Sequence, residues 1–360
     1  MMRLLRLGSL RRLAGFVFVV TMAASCGSPP VTARQSAQQD AEQLGIFAFT
    51  TTTQLGLVRN GDIAYAMTTS TEPRYPVFTD SGKFVAAILE NGRIVATGFT
   101  QESSRTIQAH AGRVFAGRGN TITWWEAPNQ LVSLDLSDRL SEPIKKPIDT
   151  PGGPAQSRLI SLADGVAILA QGRPEGSPEE LVAMSSDDGT FHQIGPAPDT
   201  APIRIAFPNT DGRQFAYAAS LRAACPKDAV TVLDTLTGQA ISPMIPYSID
   251  NKVTTRKLWW DTDRLLHASI VEKPCTAKDD AAATVTAWKL DQDKWIRATP
   301  DGVLVSRKLG NDAVALVSPT NPKQSMGTLW IDSGGDRKQI AENVTDLATP
   351  RETAPTGSPA

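Results

Sequence analysis

Apolar and β-branched residues occur in short runs along most of the chain, and turn-forming residues separate these runs. Helical periodicity is almost absent between residues 45 and 349. The pairs Asn60-Gly61 and Asn91-Gly92 each separate two runs of strand-forming residues. Asn-Gly accepts the positive φ angles of a type I′ turn, so each pair predicts a β-hairpin. The pattern therefore predicts an all-β chain of antiparallel strands.

A longer repeat is superimposed on these hairpins. An apolar or aromatic strand end followed by Asp and Gly, or a variant of it, recurs at intervals of roughly 40 to 50 residues, the length of a four-stranded unit. The copies lie at residues 77–82, 162–165, 207–212, 259–263 and 299–302, with a degenerate copy at 114–120. Four antiparallel strands alone leave exposed edges and half-buried faces, and stacking the units in a ring buries those faces.

We therefore predict one β-propeller over residues 45–349, made of four-stranded antiparallel blades. In the clearest unit the strands fall at 203–207, 214–220, 229–234 and 239–245. Units starting near residues 45, 75, 112, 158, 203, 254 and 299 give seven blades. Six blades is the alternative, because the short first unit would then only complete the last blade. Ring closure is predicted between residues 343–347 and 46–50.

Each copy of the repeat consists of a strand end, an Asp-Gly pair and an apolar strand. This repeat is similar to that of TolB-like and WD40-like bacterial propellers. The Trp-Asp dipeptide of the WD40 type is present once, loosely, as Trp260-Asp261. The whole chain resembles the propeller-domain lipoproteins of actinobacteria. This resemblance implies a fold and an envelope location, and it implies no activity.

The N-terminus carries the features of an export signal. Four arginines within the first twelve residues precede an uncharged run at 13–25, which is too short to cross a bilayer comfortably. Residues 1–25 are therefore predicted to be a signal peptide. An ordinary cleaved signal without lipid and a retained membrane anchor are the alternatives.

The end of that signal resembles a bacterial lipobox, since Ala24 and Ser25 precede Cys26 and Gly27 follows it. The resemblance implies a lipid on Cys26 and attachment to the extracytoplasmic face of the cell membrane. Residues 26–44 and 350–360 are rich in Ser, Pro, Ala, Gln and Thr, so we predict a flexible tether and a disordered tail.

The chain has three cysteines. With Cys26 assigned to the lipid, Cys225 and Cys275 remain, and two thiols in an exported chain predict one disulfide. Each follows the second strand of its unit, so both are expected in equivalent loops on one face of neighbouring blades. The alternative is that both are reduced and buried.

Charge and motifs exclude several classes of function. Lys plus Arg total 36 against 37 for Asp plus Glu, so no net field favours nucleic acid. We find no nucleophile motif, phosphate loop or metal-ligand spacing, and predict no catalytic residue, cofactor or metal site. Asp261, Asp263 and His267 are close in sequence, but alternate strand residues face opposite ways, so we interpret them as turn formers and a packed histidine.

Adjacent tryptophans are the candidate recognition residues. In Trp124-Trp125 and Trp259-Trp260 one ring of each pair should enter the core while the other points away. We take Trp125 and Trp260 as a candidate binding surface, with core packing as the alternative. The sequence thus predicts a non-enzymatic binding or scaffolding module for an envelope protein or cell-wall component. The alternative is a lactonase-like or hydrolase-like enzyme acting at the central channel.

Overall fold

The computed structural model describes residues 45–351 with internal gaps. The gaps are residues 151–156, 173–176, 198–202, 210, 222, 262–263, 278–282, 311 and 322–323. Within the described ranges the regular elements are strands, apart from one short 3-10 turn at Gln101–Ser103. No helix in this part of the chain is long and apolar enough to span a membrane.

The strands group into successive blades of antiparallel strands. The first three blades contain β1 (Ile46–Thr51), β2 (Gln54–Arg59) and β3 (Asp62–Thr68); β4 (Arg74–Phe78), β5 (Val85–Ile88), β6 (Ile94–Thr97) and β7 (Arg105–Ile107); and β8 (Val114–Ala116), β9 (Thr121–Glu126), β10 (Gln130–Asp135) and β11 (Ile144–Pro147).

The next two blades contain β12 (Ser157–Ala163), β13 (Val166–Gln171), β14 (Glu180–Ser185) and β15 (Phe191–Pro196); and β16 (Ile205–Pro208), β17 (Gln214–Leu221), β18 (Lys227–Asp234) and β19 (Ala240–Ile241). The last two contain β20 (Asn251–Trp260), β21 (Leu266–Pro274), β22 (Thr284–Asp291) and β23 (Lys294–Arg297); and β24 (Val305–Lys308), β25 (Val314–Pro319), β26 (Gly327–Ser333) and β27 (Asp336–Ala348).

The long strand β27 closes the ring. Its first half pairs with β26 as the outer strand of blade 7, and its end pairs with β1 as the inner strand of blade 1. Ala48 lies opposite Ala348, and the hydroxyl groups of Thr50 and Thr345 are 2.9 Å apart. The predicted closure is confirmed, and the short first unit is a blade of its own. The described strands form a seven-bladed β-propeller.

A buried apolar cluster lies at each junction between neighbouring blades, including the junction between blades 7 and 1. Strand side chains alternate between the two faces of a sheet, so each blade contributes to the cluster on either side of it. Every blade therefore buries both faces, which explains the near-continuous apolar strands in the sequence.

The two Asn-Gly hairpins turn differently. Asn60 and Gly61 have φ angles of 53° and 80°, as a type I′ turn requires. At the second pair Gly92 alone has a positive φ, of 81°, and its N–H bonds to the Leu89 carbonyl at 2.9 Å. This is a type I turn followed by a glycine bulge, so the hairpin prediction is confirmed there and the type I′ prediction is wrong.

One copy of the Asp-Gly repeat occupies a different position in its blade from the others. Gly82 and Gly212 lie in the turn between the first and second strands of their blades, with φ near 70°. Asp301-Gly302 instead precedes β24, before the first strand of blade 7. An Asp-Gly pair suits any strand boundary that needs a positive φ, so it does not mark one position in the blade.

The alternating strand directions define two faces of the ring. The loops joining second to third strands, and the connections between blades, open on one face, which we call the mouth face. Cys225 and Cys275 lie in equivalent mouth-face loops of blades 5 and 6 and form a disulfide, with 5.7 Å between their Cα atoms. The predicted disulfide and its placement are confirmed.

Candidate functional site

The first strands of the blades bring guanidinium groups to the central channel. An arginine lies in or beside the first strand of six of the seven blades: Arg74, Arg113, Arg158, Arg204, Arg256 and Arg307. The first strands line the central axis of a propeller, so the backbone of these arginines lies in the channel wall.

Some of these cations are neutralised by carboxylates of nearby strands and loops. Arg158 Nη2 donates to both oxygens of Glu179, at 2.8 and 2.7 Å. Arg204 pairs with the buried carboxylate of Asp228, which also accepts the Thr255 N–H at 2.6 Å. Burial raises the pKa of Asp228, although these two donors oppose the shift. Arg158 and Glu179 also bond to the backbone of Ile203 in blade 5, both at 2.9 Å, and Asp228 bonds to Thr255 in blade 6, so these groups link blades 4, 5 and 6.

Arg113 crosses the channel from blade 3 to blade 5. Its guanidinium donates to the carbonyl of Ala206 and lies 4.3 Å from the ring centre of Phe207. The rings of Phe115 and Tyr75 lie 5.1 and 5.2 Å away. Desolvation lowers the pKa of Arg113 to about 10, while nearby Tyr75 and Asp346 oppose the shift. Arg113 remains a cation at neutral pH and is held by aromatic faces rather than by a carboxylate.

Two further arginines resemble Arg113 in lacking an ion pair among the described residues. Arg307 lies 5.8 Å from the ring centre of Trp259, and burial lowers its pKa to about 10. Arg256 has a buried Nε with no hydrogen-bond partner. An unsatisfied buried donor of this kind costs about 1–3 kcal/mol.

A cavity of about 350 Å³ opens along this part of the channel. Tyr75, Ile205, Phe207 and Leu304 form its apolar wall. Its charged lining consists of Glu72, Arg74, Arg256, Lys257 and Asp346, and Ser325 and Thr345 add hydroxyl groups. Ser325 belongs to a loop between second and third strands, so the cavity lies towards the mouth face.

The charges that line this cavity do not balance. Arg74 lies 3.3 Å from Glu72, and Lys257 lies 2.7 Å from Asp346. Pairing these groups leaves Arg256 as the surplus cation of the lining. Arg113 and Arg307 lie within electrostatic reach of Asp346, since each has its pKa influenced by that carboxylate. The channel therefore carries excess positive charge behind an apolar wall.

Tyr75 adopts a backbone conformation that bulky residues rarely take. Its φ is 54°, and the pairing of β4 with β5 shifts register between Arg74 and Val77. A residue held in this region costs about 1–3 kcal/mol, and such strain is concentrated at ligand-binding positions in proteins. The bulge directs the Tyr75 ring to the cavity and to Arg113.

Asp261 and His267, noted in the sequence, form a contact in blade 6. His267 Nε2 lies 2.8 Å from Asp261 Oδ2, and the His267 ring stacks on Trp259 at 5.3 Å. Asp261 Oδ1 accepts the Leu265 N–H, which shapes the turn. Burial alone would raise the pKa of Asp261, but the bonds from His267 and Leu265 lower it. Asp263 lies outside the described residues.

The predicted tryptophan surface is wrong for Trp125. Trp125 is 7% exposed and packs between blades 3 and 4, while Trp124 packs between blades 2 and 3. Both faces of a propeller blade meet a neighbour, so neither ring of the pair points to solvent. Trp260 is half-buried. Its Nε1 donates to the carbonyl of Phe207 at 3.0 Å, which joins it to the first strand of blade 5.

Three large apolar side chains are exposed on the mouth face of blade 5. The side chains of Leu221, Met244 and Ile249 are exposed there, Met244 by 78% and Ile249 by 82%. The connection that carries the last two is anchored at its ends, because Trp295 Nε1 donates to the Pro243 carbonyl and the Cys275 N–H donates to Asp250, both at 2.9 Å. We call these three residues the apolar rim.

Cys26 lies outside the described residues, so its lipidation stays a prediction. No group of three or more His, Cys, Asp or Glu side chains within the described ranges is arranged to hold a metal ion. The sequence reasoning missed the channel arginines. Aligning the predicted units would have shown an arginine near the start of all but the first.

No protein-family description matches the chain, and no curated protein sequence matches it. Solved structures do. The chain is similar to the dihydro-heme d1 dehydrogenase NirN in complex with DHE, at 13% identity and a TM-score of 0.51, over 85% of this chain and 75% of that one. It is similar to the β-propeller domain of Cps50 (Swd1) from Myceliophteria thermophila, at 9% identity and a TM-score of 0.51, over 78% and 94%.

TolB from Acinetobacter baumannii is also similar, at 12% identity and a TM-score of 0.46, over 89% of this chain and 73% of that one. These proteins are β-propellers. The likeness is one of fold alone.

Proposed function

We propose that this protein is an exported, lipid-anchored propeller that binds an envelope protein or a cell-wall component and does no chemistry on it. The observation that carries the proposal is the apolar rim. Met244 and Ile249 are exposed on a connection fixed at both ends, beside the disulfide of the mouth face. Large apolar side chains held rigidly in solvent mark interaction surfaces, because a partner gains from covering them without ordering the loop.

The geometry of the ring supports binding over catalysis. Most cations near the axis are held by carboxylates or by aromatic faces, and Asp261 bonds to His267, whose ring stacks on Trp259. A rigid ring with loops gathered on one face provides a broad, preorganised surface. The lipid on Cys26 would hold that surface at the membrane, where its partner resides.

Crosslinking from the rim tests the partner-binding part of the proposal. A photoreactive residue replacing Ile249 in the full-length protein, in intact cells, should crosslink to one discrete envelope component. The matched control replaces Leu236, which is 64% exposed but lies in a turn on the opposite face. Equal crosslinking from both positions, or none from position 249, would contradict a binding surface at the rim.

Fractionation tests the anchoring part. The substitution Cys26→Ala should move the protein from the membrane pellet to the soluble exported fraction, because the acyl chains supply the bilayer affinity. Cys225→Ala is the matched cysteine control and should leave the protein in the membrane. If the Cys26→Ala protein stays with the membranes, the lipid anchor is wrong.

A further inference from the structure

We propose that the central channel binds a small organic anion, with its carboxylate or phosphate group at Arg256 and its apolar body against Tyr75 and Phe207. This inference is independent of the lipid anchor and of the apolar rim. It rests on the surplus charge of the cavity, on the environment of the neighbouring arginines, and on the shape and strain of the apolar wall.

The first argument is charge. The cavity lining contains three cations and two carboxylates, and both carboxylates lie within ion-pair distance of a cation other than Arg256. The Nε of Arg256 is buried and has no acceptor among the described residues. A planar guanidinium matches the two oxygens of a carboxylate or phosphate. An anion at Arg256 would balance the charge of the lining.

The second argument is the environment of the neighbouring arginines. Arg113 and Arg307 are half-buried and face aromatic rings, with no ion pair in the described part of the chain. Burial lowers the pKa of both, which means that each is under-solvated as a cation. Their field adds to that of Arg256, and low-dielectric walls strengthen its action on a bound anion.

The third argument is the wall. Ile205 and Leu304 continue the apolar surface formed by Tyr75 and Phe207, and a cavity of about 350 Å³ is large enough for a compact organic molecule. Tyr75 reaches this surface through a strained backbone conformation. A free inorganic ion would not use an apolar wall of this extent, so the ligand is assigned an apolar body.

Three probes of nearly equal shape test the assignment on the purified full-length protein: benzoate, phenyl phosphate and benzyl alcohol. Titration calorimetry at low ionic strength should give a dissociation constant at least tenfold lower for one or both anions than for benzyl alcohol. The stronger anion then distinguishes a carboxylate ligand from a phosphate ligand. Equal binding of all three probes, or no binding of either anion, would overturn the proposal.

Substitutions locate the site. Arg256→Gln should weaken binding of the stronger anion at least tenfold, whereas Arg118→Gln, on the opposite face and 78% exposed, should leave it unchanged. Asp346→Asn removes the carboxylate closest to Lys257 while keeping an oxygen for the Leu347 N–H, so it should tighten binding severalfold. A structural defect would not tighten binding. An unchanged affinity in Arg256→Gln, or weaker binding in Asp346→Asn, would exclude this site.

Discussion

Two junctions of the ring are joined by different means. β27 runs from blade 7 into blade 1, and its end pairs with β1 there, so hydrogen bonds and the apolar core between blades 7 and 1 close the ring without a covalent link between β27 and β1. Between blades 5 and 6 the core is also shared, and a disulfide joins the mouth-face loops. The covalent bond therefore lies where exposed loops need support, while the closure relies on packing.

The difference separates two sources of stability. The closure is required by the whole ring, since opening it exposes the core between blades 7 and 1 and leaves two unpaired edge strands. The disulfide acts on one stretch of the mouth face, whose ends are already held by hydrogen bonds. Changes at the closure should therefore have larger and more global effects than changes at the disulfide.

The largest effect is expected from removing the closing segment. A chain ending after Glu342 lacks the inner strand of blade 1 and should fail to fold, because residues Val344 to Ala348 are largely buried against β1. Near-ultraviolet circular dichroism and size-exclusion chromatography would show the loss. A chain ending after Arg351 is the matched control and should fold normally. A cooperative native fold in the shorter chain would show that closure is dispensable.

A smaller effect is expected from removing the disulfide. Its cysteines are 50 residues apart, for which chain entropy gives about 4 kcal/mol as an upper value. The double substitution Cys225→Ala with Cys275→Ala should lower the free energy of unfolding by about 2–4 kcal/mol while keeping the fold. Denaturant unfolding measures this, and hydrogen exchange should rise mainly in residues 242–250. An unfolded double variant would contradict the local role of the disulfide.

The smallest effect is expected at the surface ion pair of the closing strand. Lys338 Nζ lies 2.6 Å from Asp62 Oδ1, but both side chains are more than half exposed. Solvent screens such pairs, so Asp62→Asn should change the free energy of unfolding by no more than about 0.5 kcal/mol. A loss above about 1 kcal/mol in denaturant unfolding would mean that polar contacts, and not the core, hold the closure.

The fold was predictable from the sequence because its signals are local. Asn60-Gly61 predicts a hairpin that the structure contains, and the repeating units place the first strands of blades 2 to 6 within a few residues of their observed starts. The unit predicted at residue 299 is less exact, because β24 begins at Val305. The pairing of residues 343–347 with residues 46–50 follows from the way propeller rings commonly close, and the structure contains it. These features depend on turn chemistry and strand pattern, which a single sequence contains.

The site was less predictable because it depends on neighbours. In an isolated sheet, Trp125 would point away from the core that Trp124 enters. It is buried because the next blade packs on that face of the sheet. Arg113 gives no sign in sequence that it reaches Ala206 in blade 5. Likewise, Asp346 is unremarkable until the channel brings Lys257 to it. Residues far apart in the chain meet at the axis, and no local pattern records which of them do.

The pairing of Ala48 with Ala348 also has a consequence for biogenesis. The first blade waits for a partner that lies about 295 residues later in the chain, as for Thr50 and Thr345, so the nascent chain stays an open arc until β27 has been made. Contacts so distant in sequence form slowly. An arc of this kind is compatible with the export that we propose.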